Sequence, residues 1–197
     1  KHVAELQKHN LDVVIGYIEC HQRDETHAVV PTNIEIIPLK EFEYKGINRK
    51  ELDLDRILAR RPQTVVIDEL AHTNAPGSRN TKRFQDVLEI LAAGVNVYTA
   101  VNIQHIESLN DIVAQIVGTE IKETVPDYVF EQASEVKLID ITPDELITRL
   151  REGKIYPADR ASAALKNFFR KGNLTALREM ALLNTARKVE KQVKEYR

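Results

Sequence analysis

The chain has 197 residues, 43% hydrophobic and 29% charged, a balance typical of a globular protein with a buried core. Its single cysteine excludes an internal disulfide, and no apolar run approaches the roughly 18 residues that indicate a transmembrane helix. The net charge of −2 is spread unevenly. Residues 1–148 carry 15 Lys or Arg against 25 Asp or Glu, whereas residues 149–197 carry 13 against five.

Five short apolar runs predict β-strands. Several of them lack apolar–polar alternation, which is typical of strands covered on both faces of a parallel sheet. The predicted strands span residues 12–19, 34–39, 64–70, 96–103 and 135–141.

Helical patterns lie between these strands. Asn48 and Glu51 resemble a capping box and predict a helix that ends before Pro62. Apolar residues at helical spacing predict two further helices, over residues 81–93 and 106–118.

The last third of the chain is also predicted to be helical. The run from Thr142 to Glu145 combines a capping box with Pro143 at the first helical position. Residues 161–197 form a basic helical pattern with a predicted break near Gly172 and Asn173.

Strands that alternate with helices indicate an α/β fold with a doubly wound, mostly parallel sheet. We predict that this P-loop NTPase-like domain covers residues 1–148 and that residues 149–197 form a basic helical extension. Residues 1–10 have the pattern of the last turns of a helix, so we expect the first strand of the domain and its phosphate loop to precede Lys1. The phosphate-loop pattern GxxxxGK[ST] does not occur in the sequence.

The run TVVIDE is the clearest chemical pattern, because it delivers two acids at the end of a buried strand. In ATPases of this type the Asp holds Mg²⁺ through water, which assigns Asp68 as a candidate metal and nucleotide residue. Glu69 is the candidate catalytic residue, since a neighbouring carboxylate can orient or deprotonate a water. The alternative is a strand whose terminal acids only cap a neighbouring helix.

Polar residues follow two other predicted strands. Arg23 has a planar guanidinium suited to phosphate, and Asn102, Gln104 and His105 lie at the end of the fourth strand. Because ligands of open parallel sheets bind beyond the carboxyl ends of the strands, we expect these four residues to share a nucleotide site with Asp68 and Glu69. A single histidine more often has a structural role, and this role is the alternative for His105.

Residues 65–113 read VVIDELAHTNAPGSRNTKRFQDVLEILAAGVNVYTAVNIQHIESLNDIV and closely resemble the N-terminal domain of KdpD sensor kinases. Further matches are ETVPD at 123–127, GKIY at 153–156 and FFRKGNL at 168–174. The family's Walker-B-like element falls on residues 65–69. The chain departs from the family at Gln22, where the family has glycine in its E-x-H-G-R pattern.

The resemblance implies a regulatory cytoplasmic domain of a membrane-anchored, dimeric histidine kinase that responds to potassium limitation or osmotic stress. Family members phosphorylate a response regulator that switches on a potassium-uptake ATPase. Their N-terminal domain is held to bind ATP and to modulate the balance of kinase and phosphatase activities. The implied cofactors are ATP and Mg²⁺, and the implied partners are other domains of the same kinase. The kinase core is not in this sequence, so we do not expect the chain to be catalytic alone.

Three other functions stay open from the residues. The chain is an active ATPase if Glu69 serves as the base, or a module whose basic C-terminal helices bind an anionic membrane or another domain. Nucleic-acid binding is least favoured, because the basic residues form no recognised reading motif.

Overall fold

The computed structural model describes residues 11–19, 33–44, 46–156, 164–165 and 167–195. The helix end expected over residues 1–10 lies outside the described residues, as does Arg23. The chain divides into two compact units, Lys1–Val101 and Asn102–Arg197. The boundary between the α/β domain and the basic helical extension, placed between residues 148 and 149, stays a prediction.

Parallel strands form the centre of the first unit. Its described elements are β1 (Val13–Tyr17), β2 (Glu35–Ile36), β3 (Lys40–Tyr44), β4 (Ile47–Glu51), α1 (Leu54–Arg60), β5 (Thr64–Ile67), α2 (Arg83–Ala92) and β6 (Asn96–Thr99). Four strands pair in the order β2-β1-β5-β6, and all three pairings are parallel. The predicted α/β class with a mostly parallel sheet is therefore confirmed.

The sheet reverses its winding direction between β1 and β5. From β1 the chain places β2 on one side, and later places β5 and then β6 on the other. In open α/β sheets such a switch point opens a crevice beyond the carboxyl ends of the two strands, because their connections leave in opposite directions.

Helix α1 packs closely on the two central strands. A Cβ added at Gly16 would lie 2.8 Å from Ile57 Cδ1 and 2.9 Å from Val65 Cγ2. Glycine at this position therefore permits the approach, and the pairing of β1 with β5 shifts register between Ile15 and Tyr17. Burial of Ile57 and Val65 is complete, and both contribute to the core of this unit.

An antiparallel hairpin replaces the first turns of a predicted helix. β3 and β4 pair through a turn at Gly46, whose φ of +74° favours glycine. The capping box predicted at Asn48 and Glu51 is wrong, because both residues belong to β4. Asp53 caps α1 instead, accepting from Arg56 N at 3.1 Å.

Other predictions for this unit are confirmed in position and corrected in length. Helix α2 lies within the predicted residues 81–93. The strands predicted over 64–70 and 96–103 begin where expected, but β5 ends at Ile67 and β6 at Thr99. The strand predicted over 34–39 shortens to the two residues of β2, at the edge of the sheet.

The second unit is helical in its described residues. Two short 3₁₀ turns, Ile103–His105 and Glu107–Leu109, precede α3 (Asn110–Val117), α4 (Asp127–Glu131), α5 (Pro143–Arg151) and α6 (Lys171–Glu195). Val113, Val117 and Leu177 form a buried cluster that joins α3 to α6. In the part of the chain that the structure describes, no helix combines the length and apolar character needed to span a membrane.

One prediction for the second unit is wrong, and the position of another is shifted by a few residues. Residues 135–141 form no strand, because no neighbouring strand pairs with them within the described residues. The break in the basic helix falls before Lys171, so Gly172 and Asn173 lie inside α6. The Asn173 side chain donates to the Phe168 carbonyl at 3.2 Å and so satisfies the backbone just before the helix.

Candidate functional site

Asp68 and Glu69 directly follow β5 at the switch point. Asp68 N donates to the Tyr17 carbonyl at 3.0 Å, which joins the ends of β5 and β1. Asp68 Oδ1 accepts from Glu69 N at 2.8 Å, and Glu69 adopts a left-handed φ of +55°. Such a conformation is uncommon outside glycine, and the chain turns sharply here with both acidic side chains partly exposed.

Arg83 lies beneath this acidic turn and is completely buried. Its Nη2 donates to Glu51 Oε2 at 3.0 Å, and its Nη1 donates to the Asp68 carbonyl at 3.3 Å. The same Nη1 lies 3.6 Å from Glu69 Oε2. One guanidinium therefore contacts the end of β4 and both residues of the acidic pair.

Glu51 is the buried counterion of this arginine. Besides Arg83 it accepts from Ala75 N at 2.9 Å, and His72 Nε2 lies 3.1 Å from its Oε1. Burial by itself raises the pKa of the Glu51 carboxyl, but the hydrogen bond and charge of His72, the Arg83 charge and the Ala75 amide outweigh burial and hold that pKa below its ordinary value. Glu51 thus enters the cluster as a carboxylate.

The aromatic ring of Tyr17 lies against the guanidinium of Arg83. The Arg83 Cζ lies 3.7 Å from the centre of the Tyr17 ring, a distance typical of a cation–π contact. The Tyr17 hydroxyl donates to Glu19 Oε2 at 3.2 Å. Burial raises the pKa of this phenol to about 12, with the nearby carboxylates of Glu19 and Glu69 adding to the rise and Arg83 opposing it.

The loop between β5 and α2 is held by a second polar cluster. Asn74 Nδ2 donates to Asp86 Oδ2 at 2.7 Å, and Asn80 Nδ2 donates to Asp86 Oδ1 at 2.9 Å. Burial raises the pKa of the Asp86 carboxyl, while the two asparagine hydrogen bonds act against the rise. These contacts fix the start of α2, from which Arg83 projects.

Three predicted site residues belong to the second unit. Asn102 begins that unit, and Gln104 and His105 lie in its first 3₁₀ turn. His105 Nδ1 is 2.8 Å from the Glu123 carbonyl, the structural role that a single histidine often has. Their expected approach to Asp68 stays a prediction, as does the phosphate contact of Arg23.

The donor set suits a hydrated cation better than one bound directly by protein. Among the described residues, no group of three or more His, Cys, Asp or Glu side chains is arranged to hold a metal. Asp68 presents a partly exposed carboxylate with one oxygen engaged by the Glu69 amide. A carboxylate of this kind suits Mg²⁺, which keeps several waters and takes one or two protein oxygens besides phosphate.

Sequence reasoning located the acidic pair but missed the residues beneath it. Arg83 and Glu51 are 32 residues apart, and no local pattern joins them. His72 and Arg83 do lie in the segment that resembles the family, which was the available signal. Glu51 was misassigned because a capping box and the end of a strand can share the same residues.

The fold and the site define an α/β protein with a mostly parallel sheet, compatible with a Rossmann-like or P-loop-like arrangement, and with carboxylates at its switch point. Residues 1–189 match the family model described as "KdpD: Osmosensitive K+ channel His kinase sensor domain". The chain belongs to this KdpD sensor-domain family, which confirms the resemblance found in the sequence.

Curated relatives agree along nearly the whole chain. The sensor protein KdpD of Escherichia coli K12 is 50% identical over 192 residues, which is 98% of this chain and 21% of that protein. The sensor protein KdpD of Mycobacterium tuberculosis H37Rv is 55% identical over 172 residues, 87% of this chain and 20% of the relative. The putative sensor protein KdpD of Synechocystis is 49% identical over 186 residues, 94% of this chain and 50% of the relative. The chain thus spans between a fifth and a half of the length of these relatives.

Proposed function

We propose that this chain is the regulatory sensor domain of a potassium- or turgor-responsive two-component histidine kinase, and that it binds ATP with Mg²⁺ at the switch point of its sheet. In this proposal the bound nucleotide shifts the balance between the kinase and phosphatase activities of the parent protein. The domain acts on the cytoplasmic side of a membrane-anchored, dimeric kinase, and its direct partners are the other domains of that kinase.

The observation that carries the proposal is the position of Asp68 and Glu69. They follow the strand beside the reversal in strand order, where open α/β sheets bind their ligands. Asp68 would hold Mg²⁺ through water, and the ion would neutralise phosphate charge. The phosphate loop would come from residues before Lys1, and the planar guanidinium of Arg23 would contact phosphate.

Nucleotide binding without turnover is favoured over an active ATPase. Glu69 Oε2 lies 3.6 Å from Arg83 Nη1 and 4.0 Å from His72 Nδ1. A carboxylate drawn toward a buried cation is suited to holding the turn in place, whereas a general base must reach the attacking water. We therefore assign Glu69 chiefly to the architecture of the site.

Calorimetry on the chain extended upstream by its phosphate-loop segment tests the proposal. We expect Mg²⁺-ATP to bind and Asp68→Asn to weaken it about tenfold, since a hydrogen bond to a charged group contributes roughly 1.5 kcal/mol. Asp111→Asn, an exposed aspartate in the first turn of α3, is the matched control and leaves affinity unchanged. No binding, or binding that Asp68→Asn does not alter, contradicts the proposal.

Turnover is measured separately. The same extended chain is followed for phosphate release with saturating Mg²⁺-ATP, alongside Glu69→Gln. A flat trace for both proteins agrees with a regulatory site. Steady release that disappears in Glu69→Gln would instead establish the ATPase.

A further inference from the structure

The peptide unit that joins Asp68 to Glu69 is held at both of its polar ends. Its N–H donates to Asp68 Oδ1 at 2.8 Å, and its carbonyl accepts from Arg83 Nη1 at 3.3 Å. The orientation of this peptide sets the directions in which the two acidic side chains leave the backbone. A group that fixes the peptide therefore fixes the aim of both carboxylates.

Three further contacts hold Arg83 itself in place. Its backbone N–H donates to the His72 carbonyl at 3.1 Å, its Nη2 is paired with Glu51, and its Cζ lies over the Tyr17 ring, 3.7 Å from the ring centre. A planar fork can meet a carboxylate on one side and a carbonyl on the other, which a lysine ammonium cannot do with the same geometry.

This arrangement is not the one that stability alone would favour. Arg83 Nε is buried and has no hydrogen-bond partner among the described residues. A buried donor without a partner is costly, and buried ion pairs are often no more stabilising than apolar residues of similar volume. The left-handed φ of Glu69 adds local strain at the same turn. Strain and incomplete hydrogen bonding of this kind are concentrated at functional sites.

We propose that Arg83 is a positioning residue that holds the Asp68–Glu69 peptide and thereby directs the Asp68 carboxylate toward the ligand at the switch point. Arg83 acts through the backbone and through Glu69, and does not itself touch the ligand. The expected effect of Arg83 on Mg²⁺-ATP binding rests on the proposed function. Its effect on the orientation of the Asp68–Glu69 peptide unit does not.

Hydrogen exchange of the Glu69 amide tests the structural half on the chain as it stands. We expect Arg83→Gln to speed this exchange about tenfold, since about one hydrogen bond is lost at the turn, and the exchange of the Ile90 amide in α2 reports how far the whole unit is destabilised. Arg79→Gln is the matched control, because Arg79 is an exposed arginine of the same loop. An unchanged Glu69 rate in Arg83→Gln overturns the proposal.

A paired variant guards against misfolding of the single one. Glu51→Gln with Arg83→Gln removes both buried charges together, so neither is left without its counterion. In this pair the Glu69 amide should exchange about tenfold faster while the Ile90 amide in α2 keeps its rate. A uniform rise in exchange across β1, β5 and α2 would indicate a purely structural role and overturn it.

The functional half uses a double-mutant cycle on the upstream-extended chain. If Arg83 acts through Asp68, Arg83→Gln weakens the binding of Mg²⁺-ATP about tenfold in the wild-type background. In the Asp68→Asn background the same substitution then has little further effect on binding. An equal loss in both backgrounds overturns the positioning role. If the wild-type protein binds no Mg²⁺-ATP, the proposed function fails, and the exchange rates still decide whether Arg83 fixes the peptide.

Discussion

At the residue scale, the first unit is organised around a buried ion pair. Arg83 and Glu51 lie within 3.0 Å of each other, and neither side chain is more than 5% exposed. Taking both charges out of water is expensive, and their attraction offsets this cost only when the remaining hydrogen bonds are made. Glu51 meets that condition through His72 and Ala75. Removing one partner leaves the other as an uncompensated buried charge.

We expect Glu51→Gln to lower the free energy of unfolding by about 3 kcal/mol at neutral pH. The folded-state pKa of Glu51 lies below its ordinary value of 4.5, so its stabilising effect is complete above 4.5 and is lost as the pH falls through the lower folded pKa. The difference in unfolding free energy between wild type and Glu51→Gln should therefore become smaller in acid. Urea unfolding at several pH values measures it.

Glu43→Gln provides the control for that prediction, since Glu43 is an exposed carboxylate on the neighbouring strand β3. It should leave the unfolding free energy within about 0.5 kcal/mol of wild type at every pH. A gap for Glu51→Gln that widens in acid would contradict the assignment of Glu51 as a buried carboxylate.

At the element scale, local caps set the ends of several helices. Thr142 Oγ1 accepts from Glu145 N at 3.3 Å, and Pro143 occupies the first turn of α5. The last turn carries Arg149 and Arg151, whose positive charge favours the carboxyl end of a helix. The sequence therefore determines both ends of α5 without help from distant residues.

Thr142→Ala should destabilise α5 by about 1 kcal/mol, because an N-terminal amide loses its acceptor. Thr148 provides a matched control in the same helix. Its hydroxyl donates to the Asp144 carbonyl, a back-bond that contributes little to helix stability. Urea unfolding monitored by amide exchange within α5 should show a shift for Thr142→Ala and almost none for Thr148→Ala. Equal shifts would rule out the cap.

At the scale of the whole molecule, the charge asymmetry of the sequence nearly vanishes when residues are grouped by compact unit. Residues 102–197 carry 15 basic and 15 acidic residues, and residues 1–101 carry 13 and 15. The basic C-terminal segment therefore shares its unit with an acidic one. The ion pairs Arg178–Asp140, Lys171–Asp144 and Lys191–Glu131 join the two within that unit.

The ion pairs within the second unit should weaken its binding to anionic membranes. A peptide of residues 149–195 should bind vesicles that contain phosphatidylserine. Each basic residue near such a surface contributes roughly 1 kcal/mol, which is about fivefold in affinity. The whole chain should therefore bind about fivefold more weakly for each cation that is paired within the unit. Cosedimentation at low and high salt measures both. The double substitution of Asp140→Asn and Asp144→Asn removes two of these ion pairs. The vesicle affinity of the chain should then rise toward that of the peptide. Salt-sensitive binding of the chain as tight as that of the peptide would instead favour a membrane-docking function.

Features that depend on residues close together in the sequence could be predicted, whereas features that depend on distant residues could not. The start of β5, the acids at its end, helix α2 and the cap of α5 rest on apolar spacing and on contacts within a few residues. The hairpin at residues 40–51 was missed because its pairing competes with a capping pattern that uses the same residues. Residues 135–141 have the composition of a strand, but a strand also requires a neighbour for its backbone hydrogen bonds.

The sequence by itself determined the α/β class, the family and the acidic pair at a strand end, because apolar periodicity, local caps and a long specific motif are written in consecutive residues. Only the tertiary structure decided that β5 lies beside β1 at the reversal of strand order and that Arg83 reaches Glu51 and the Asp68 carbonyl. These features depend on which distant segments share a core, and the energy of that choice is spread over many contacts that no short stretch of sequence contains.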